Sequence, residues 1–445
     1  MGNEIGEAAP GCASESRTRA VEAECYVEFR PKSDWTGEYG FDWMRISDYP
    51  LSGANGLNPN FNRIVGSYYV TPPGAAVRTV NPDGNSHSGD FVQRSDLLYR
   101  LERDYRKRLV RFNNGDIKFA FSSYLSMYIN EGVPDLALPR VVTIKAVVKE
   151  LRTPPDRFQF FYNHELFTIG NIPVAAGEHN LTIQCNEQFS TQQIVEVKAI
   201  KAGKPDKIVG LLIIVPNSRS KIKVIDVLMV RVKTPGINGR RPASGSISGQ
   251  YNQLAKILRQ AVINPHCTTI SLDLSTVPKT IASGGDTSSQ PQRVVNQHFI
   301  DSFIQGDLIM AYRNNDATLP RLKDYLMSKI QETYGTQYDN HYIAFYLGER
   351  TARINAEGEF AELNGYSSGN TVVMSPVALK STPPHEFLHS LNLPHTFAGD
   401  NSFCRCTYKW RETDNIMDYT SQRPGFRNAR ISTFHWQWKI ANENL

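Results

Sequence analysis

Eleven residues, HEFLHSLNLPH at positions 385–395, leave their stretch of chain little freedom. His385 and His389 are four apart, which on a helix stacks both imidazoles on one face. Two imidazoles so placed can bind one Zn²⁺. Glu386 lies beside them and suits a general base for a metal-activated water. A third ligand must come from a chain that has turned. His395 is the nearest candidate, and a helix running on would carry it away. Asn392 lies between, and asparagine is one of the few non-glycine residues that tolerates the left-handed conformation ending a helix. Pro394 then prevents the helix from resuming. Three imidazoles favour zinc over hard cations such as magnesium or calcium.

Further on, the chain reads NIMDYT at 415–420. With HEFLHSLNLPH it resembles the metzincin signature H-E-x-x-H-x-x-G-x-x-H followed by a Met-turn. Asn392 stands where that signature has glycine. The run His395-Thr396-Phe397-Ala398-Gly399 and the Met-turn are similar to the pappalysin-like branch of that family. The resemblance implies a zinc endopeptidase, with His385, His389 and His395 as metal ligands and Glu386 as catalytic base. It also implies that Met417 lies under the metal, and that Tyr419 supplies its hydroxyl to the metal or to the oxyanion. Glu412 is a rival third ligand, because in another zinc-peptidase pattern the third ligand is a downstream glutamate. Its setting, WRETD, has no helical pattern.

Composition bounds the rest. A chain of 445 residues suggests two to four domains. Its 40% hydrophobic and 21% charged residues fit a globular protein. A net charge of +5 is too weak to point to nucleic acid. The longest apolar run, Ile208 to Val215, fits a buried strand and is too short to span a bilayer. The first twenty residues have no apolar core, so no secretory signal is expected. The expected location is the cytoplasm of the producing cell, with export by a non-classical or contractile injection route. Cysteines 12, 25, 185, 267, 404 and 406 are then expected as free thiols.

The expected architecture is multidomain. Residues 1–24, small, polar and acidic, read as disordered. Residues 25–134 form an aromatic-rich N-terminal domain. Its cluster Trp35, Tyr39, Phe41 and Trp43 reads as β-core or as a docking surface. This segment resembles N-terminal regions of contractile-injection effectors of Bacteroidetes, which implies a secretion-machine partner. Residues 135–216 carry six short strands separated by turn residues and read as an immunoglobulin-like β-sandwich. Residues 217–445 alternate strands and helices, ending in an α+β metzincin-like catalytic domain. Helices are expected at Gln250–Val262, Phe299–Ala311, Leu322–Tyr334 and Ile431–Asn442, with Thr382 capping the histidine helix and Pro383 in its first turn.

The expected substrate is a protein or peptide, with no nucleic-acid or membrane partner. Arg423, Arg427 and Arg430 near the Met-turn suggest a preference for acidic side chains. Two other functions remain open: a zinc amidase acting on peptidoglycan, and a catalytically inactive effector or binding protein.

Overall fold

The computed structural model describes residues 22–81, 87–128, 139–278, 293–313, 321–354, 358–398 and 406–445. Strand outweighs helix among them, in several sheets, none of which closes into a barrel. The disorder expected for residues 1–24 therefore falls largely outside the described residues, as do Cys12 and Cys404. Glu24 already begins a strand.

Two sheets share one core in the N-terminal half. The first has the order Glu24–Pro31, Val141–Thr153, Gly177–Cys185, Phe167–Ile169, all antiparallel. The second runs Arg157–Phe161, Gln193–Ile200, Lys207–Ile214, Ser123–Ser126, Gly40–Asp42. Alternation builds it: Val142, Ile144, Ala146 and Val148 are buried while the residues between them are less so. Their side chains meet Val195, Val197 and Leu212 of the opposite sheet in one cluster.

Sequence from both sides of the expected boundary at 134/135 enters these sheets. Residues 24–42 and 123–126 supply three of the nine strands, so the expected N-terminal domain is not a separate body. Its aromatic cluster is core. Trp35 and Phe41 are fully buried, Trp43 and Tyr39 nearly so, and the two indoles meet edge to face at 6.4 Å. Rings so enclosed cannot form a docking surface.

The intervening residues pack on the C-terminal half instead. Phe61, Val65, Leu97, Leu101 and Tyr105 share a buried cluster with Phe387, Leu388 and Met417. Strand Val65–Val70 pairs with Thr407–Tyr408. Arg45 reaches Asp414 through two bonds, at 2.6 and 2.9 Å, and Asp42 at 2.7 Å, all three groups buried.

The C-terminal sheet is built on Lys223–Thr234, which lies parallel to both Ile263–Asp273 and Tyr342–Tyr346. Thr371–Met374 continues the parallel set, and Gly365–Ser368 closes that edge antiparallel. Buried on both faces, these strands read as apolar runs rather than alternations. Helix Gln250–Gln260 packs beside helix Thr382–Ser390, which carries the histidines, and the latter also lies against the antiparallel edge.

Three local expectations fail. Helix Gln297–Phe303 stops where a helix to Ala311 was expected, because Gly306 takes φ +61° and turns the chain into a hairpin, Ile304–Gln305 with Leu308–Arg313. The last helix spans His435–Glu443, starting later than Ile431 because residues 431–432 hydrogen-bond to Asp414 instead. Ser381, not Thr382, occupies the cap of the histidine helix, and Thr382 is its first helical residue. No helix among the described residues is long and apolar enough to cross a membrane.

Candidate metal centre

The histidine helix is short because both its ends are fixed. Pro383 and Pro384 occupy its first turn, where missing N–H groups cost nothing. At its other end Asn392 takes φ +61°. Leu393 N–H bonds to the Leu388 carbonyl at 3.0 Å, and Asn392 N–H to that of His389 at 2.9 Å. This is the Schellman pattern, with the apolar contact between Leu393 and Leu388 that accompanies it. The chain reverses there and delivers His395 to the helix face.

The ligand nitrogens of His385, His389 and His395 lie within 4.8 Å of one another. Nε2 of His395 is 3.0 Å from Nε2 of His389 and 3.3 Å from Nε2 of His385. The other nitrogens settle the tautomers. Nδ1 of His385 donates to the Ile416 carbonyl and Nδ1 of His389 to the Leu393 carbonyl, both at 2.8 Å. A carbonyl oxygen can only accept, so both Nε2 atoms carry lone pairs. Lone pairs pointed at a common centre repel unless a cation lies between them. Two nitrogens bound to one tetrahedral zinc at about 2.0–2.1 Å stand roughly 3.3 Å apart. The donor set therefore fits a metal ion of that kind.

Burial keeps the ligands neutral. It lowers His385 well below the usual histidine range, and His389 to about 4. His395 falls to about 2 by burial, then by the neighbouring His389, Arg430 and His87. Glu386 is also pushed, by burial, up to about 7, against the pull of Arg430 and a hydrogen bond from Ser367.

The turn at residues 415–420 packs against the histidine helix, its Ile416 carbonyl accepting from His385 Nδ1. Met417 is fully buried in the cluster that holds Phe387, Leu388 and Leu393. Asn415 Oδ1 accepts from Met417 N–H at 2.8 Å, and the Asp418 carboxylate accepts from the N–H groups of Arg411, Thr413 and Tyr419. Tyr419 is thereby aimed inward, its hydroxyl 3.0 Å from His395 Nε2. Burial first, then Glu386, raises it to about 12, so it remains a protonated donor at neutral pH.

The structure thus brings together His385, Glu386, His389, His395, Met417 and Tyr419. It does not bring in Glu412, whose carboxylate pairs with Arg423 at 2.9 Å. Of the three arginines of this loop, Arg423 pairs with Glu412, Arg430 is buried and Arg427 is exposed.

Three contributors had no local signal. Arg430 bonds to Ser381 and to the Asp418 carbonyl. Ser367 comes from the antiparallel edge strand. His87 stacks on Trp410 at 3.7 Å and meets Phe397 edge-on, and Phe397 stacks on His395 at 4.7 Å. The N-terminal part of the chain therefore supplies one wall of the site.

No family model matches the chain, and no curated protein matches it. Among solved structures, a Bacteroides ovatus GH5 xyloglucanase in complex with a XXXG heptasaccharide is 12% identical over 56% of this chain, with a TM-score of 0.14. The chain spans 47% of the length of that structure. A likeness of that size carries no argument about fold or function.

Proposed function

We propose that this chain is a zinc-dependent endopeptidase whose C-terminal region is a metzincin-like catalytic domain, joined to an immunoglobulin-like sandwich. One observation carries the reading: three histidine Nε2 atoms converge, two with tautomers fixed by backbone carbonyls, with a carboxylate next in sequence to the first. Structural metal sites are usually closed by four protein ligands, whereas three leave a position for water or substrate.

His385, His389 and His395 would hold the ion. Zinc, when bound, supplies Lewis-acid activation of water and of the scissile carbonyl. Glu386 takes the proton of the attacking water and returns it to the leaving amine. Its position against Ser367 holds the carboxylate beside the edge strand. Tyr419 offers its hydroxyl as a donor to the developing oxyanion. Phe397, stacked on His395, covers one side of that ligand.

The test is to incubate the protein with unfolded casein and with purified peptidoglycan, each with and without a chelator, beside Glu386→Ala. Chelator-sensitive casein cleavage, absent from the variant, is expected. Release of muropeptides without casein cleavage would favour a cell-wall amidase. Inactivity on both, with no bound zinc, would favour a non-catalytic protein.

A further inference from the structure

The third histidine of the metal centre is supported differently from the first two. Nδ1 of His385 and Nδ1 of His389 each donate to a backbone carbonyl, which fixes the rotation of both rings. The His395 ring lies flat on Phe397, with centroids 4.7 Å and planes 9° apart. The Tyr419 hydroxyl also meets His395, but at Nε2, the atom that would face a metal ion. Stacking on Phe397 is a support that does not use that lone pair. The two rings share one tight turn, in which Ala398 N–H bonds back to the His395 carbonyl at 3.0 Å. Rings on one turn can shift together, so the stack needs a contact from outside it.

His87 supplies one. Its imidazole stacks on Trp410 at 3.7 Å with planes 12° apart, and it turns its edge to Phe397 at 5.6 Å and 89°. Edge-to-face contact is a favoured geometry for aromatic rings. The backbone beside His87 is pinned. The Asn81 amide donates to the Ser88 carbonyl at 3.2 Å. Gly89 takes φ +98° and passes so close to strand Val65–Val70 that a Cβ there would collide with the Tyr69 carbonyl. Trp410 is pinned as well, its backbone N–H donating to the Tyr68 hydroxyl at 2.8 Å. Strand Val65–Val70 carries both anchors, because it pairs with Asp90–Gln93 on the His87 side and with Thr407–Tyr408 on the Trp410 side.

We propose that His87 is a positioning residue of the metal centre: through Phe397 it holds the His395 ring in the orientation that directs Nε2 at the ion. The inference rests on the metal-centre reading and adds to it a residue from the N-terminal half of the chain. The contact is one of ring against ring, so phenylalanine at position 87 should serve nearly as well as histidine.

The experiment uses the full chain as wild type, His87→Ala, His87→Phe, Phe397→Leu and the double variant His87→Ala with Phe397→Leu. Each is stripped of metal and titrated with zinc against a chromophoric chelator. Visible spectra of the cobalt-loaded proteins and thermal melts of the metal-free ones are read alongside. His87→Ala should bind zinc about tenfold more weakly, as for other residues that orient a metal ligand. Its cobalt spectrum should change too, and His87→Phe should restore most of the affinity and the spectrum. The double variant should be no weaker than Phe397→Leu alone, because the two residues act in series. If Phe397→Leu does not fold, the two single variants at position 87 decide alone. A lower melting point for metal-free His87→Ala, with zinc affinity and cobalt spectrum unchanged, would make His87 a purely structural contact and overturn the inference. A loss that His87→Phe does not restore would assign the effect to the imidazole itself and overturn it as well. No zinc binding by the wild type overturns it together with the metal-centre reading.

Discussion

Arg430 grips both oxygens of Ser381, its Nη2 donating to the carbonyl at 3.0 Å and to the hydroxyl at 2.9 Å. Its Nη1 donates to the carbonyl of Asp418 at 2.9 Å. One side chain therefore ties the start of the histidine helix to the residue after Met417. The guanidinium is buried without a carboxylate bonded to it, and burial lowers it to about 10, so it stays charged at neutral pH.

Removing that clamp should loosen the site. Arg430→Met is expected to lose about 1–3 kcal/mol of stability, the cost of charged hydrogen bonds to buried partners. Zinc affinity should fall about tenfold or more, as for other residues that hold ligands in place. Arg430→Lys should recover only part, because one ammonium cannot span both partners. Denaturant unfolding and competition with a chromophoric chelator measure the two effects. Wild-type values for the Met variant in both would remove this role.

Asn392 should behave as a backbone residue. Asn392→Gly keeps the left-handed cap and should change stability by only a few tenths of a kcal/mol. Asn392→Val forces a β-branched side chain into φ +61° and should cost about 1–2 kcal/mol, with poorer zinc retention as His395 drifts. Thermal melts with and without zinc compare them; equal melting points for Gly and Val variants would contradict the account.

The site was legible in sequence because its parts are local. The two helical histidines, the turn at Asn392 and the Met-turn each lie within a few residues, and periodicity or turn chemistry specifies them. The contributors that were not legible arrive through long-range packing. Arg430 reads as one arginine in a basic loop until the fold buries it against Ser381. Ser367 lies on a short strand whose residues alternate too weakly to announce it. The sandwich strands after Val141 were visible through alternation. The strands at Glu24–Pro31 and Ser123–Ser126 join them across distant sequence, which a linear reading divides at the wrong place.

Arg45 and Asp414 should be a point of high sensitivity. Asp414→Ala leaves a buried guanidinium with one carboxylate, Asp42, beside the Ser432 hydroxyl and the Trp43 carbonyl, and should cost about 3–5 kcal/mol. The triple variant Asp42→Asn, Arg45→Met, Asp414→Leu, which leaves no charge behind, should be more stable than Asp414→Ala alone. Urea unfolding of the three proteins decides this; a triple variant no better than the single would argue against the broken charge network as the cause.

Asp48 should contribute an acid-sensitive part of the stability. Burial alone would raise its pKa, but Arg30 and then Lys149 outweigh it, and the net shift is downward from 3.8. A carboxyl depressed in the folded state stabilises fully above its unfolded pKa and ceases to do so as pH falls through the folded one. The stability gap between wild type and Asp48→Asn should therefore be constant near neutral pH and shrink below about pH 4. A gap that widened on acidification would reverse the sign of this interaction.

The most direct test of the central claim is the metal content of the purified chain after dialysis against zinc, beside His395→Ala and Glu412→Ala. The account predicts one tightly held zinc per chain, kept by Glu412→Ala and lost or much weakened in His395→Ala. No bound zinc in the wild type, or loss only in Glu412→Ala, would contradict a centre built from His385, His389 and His395.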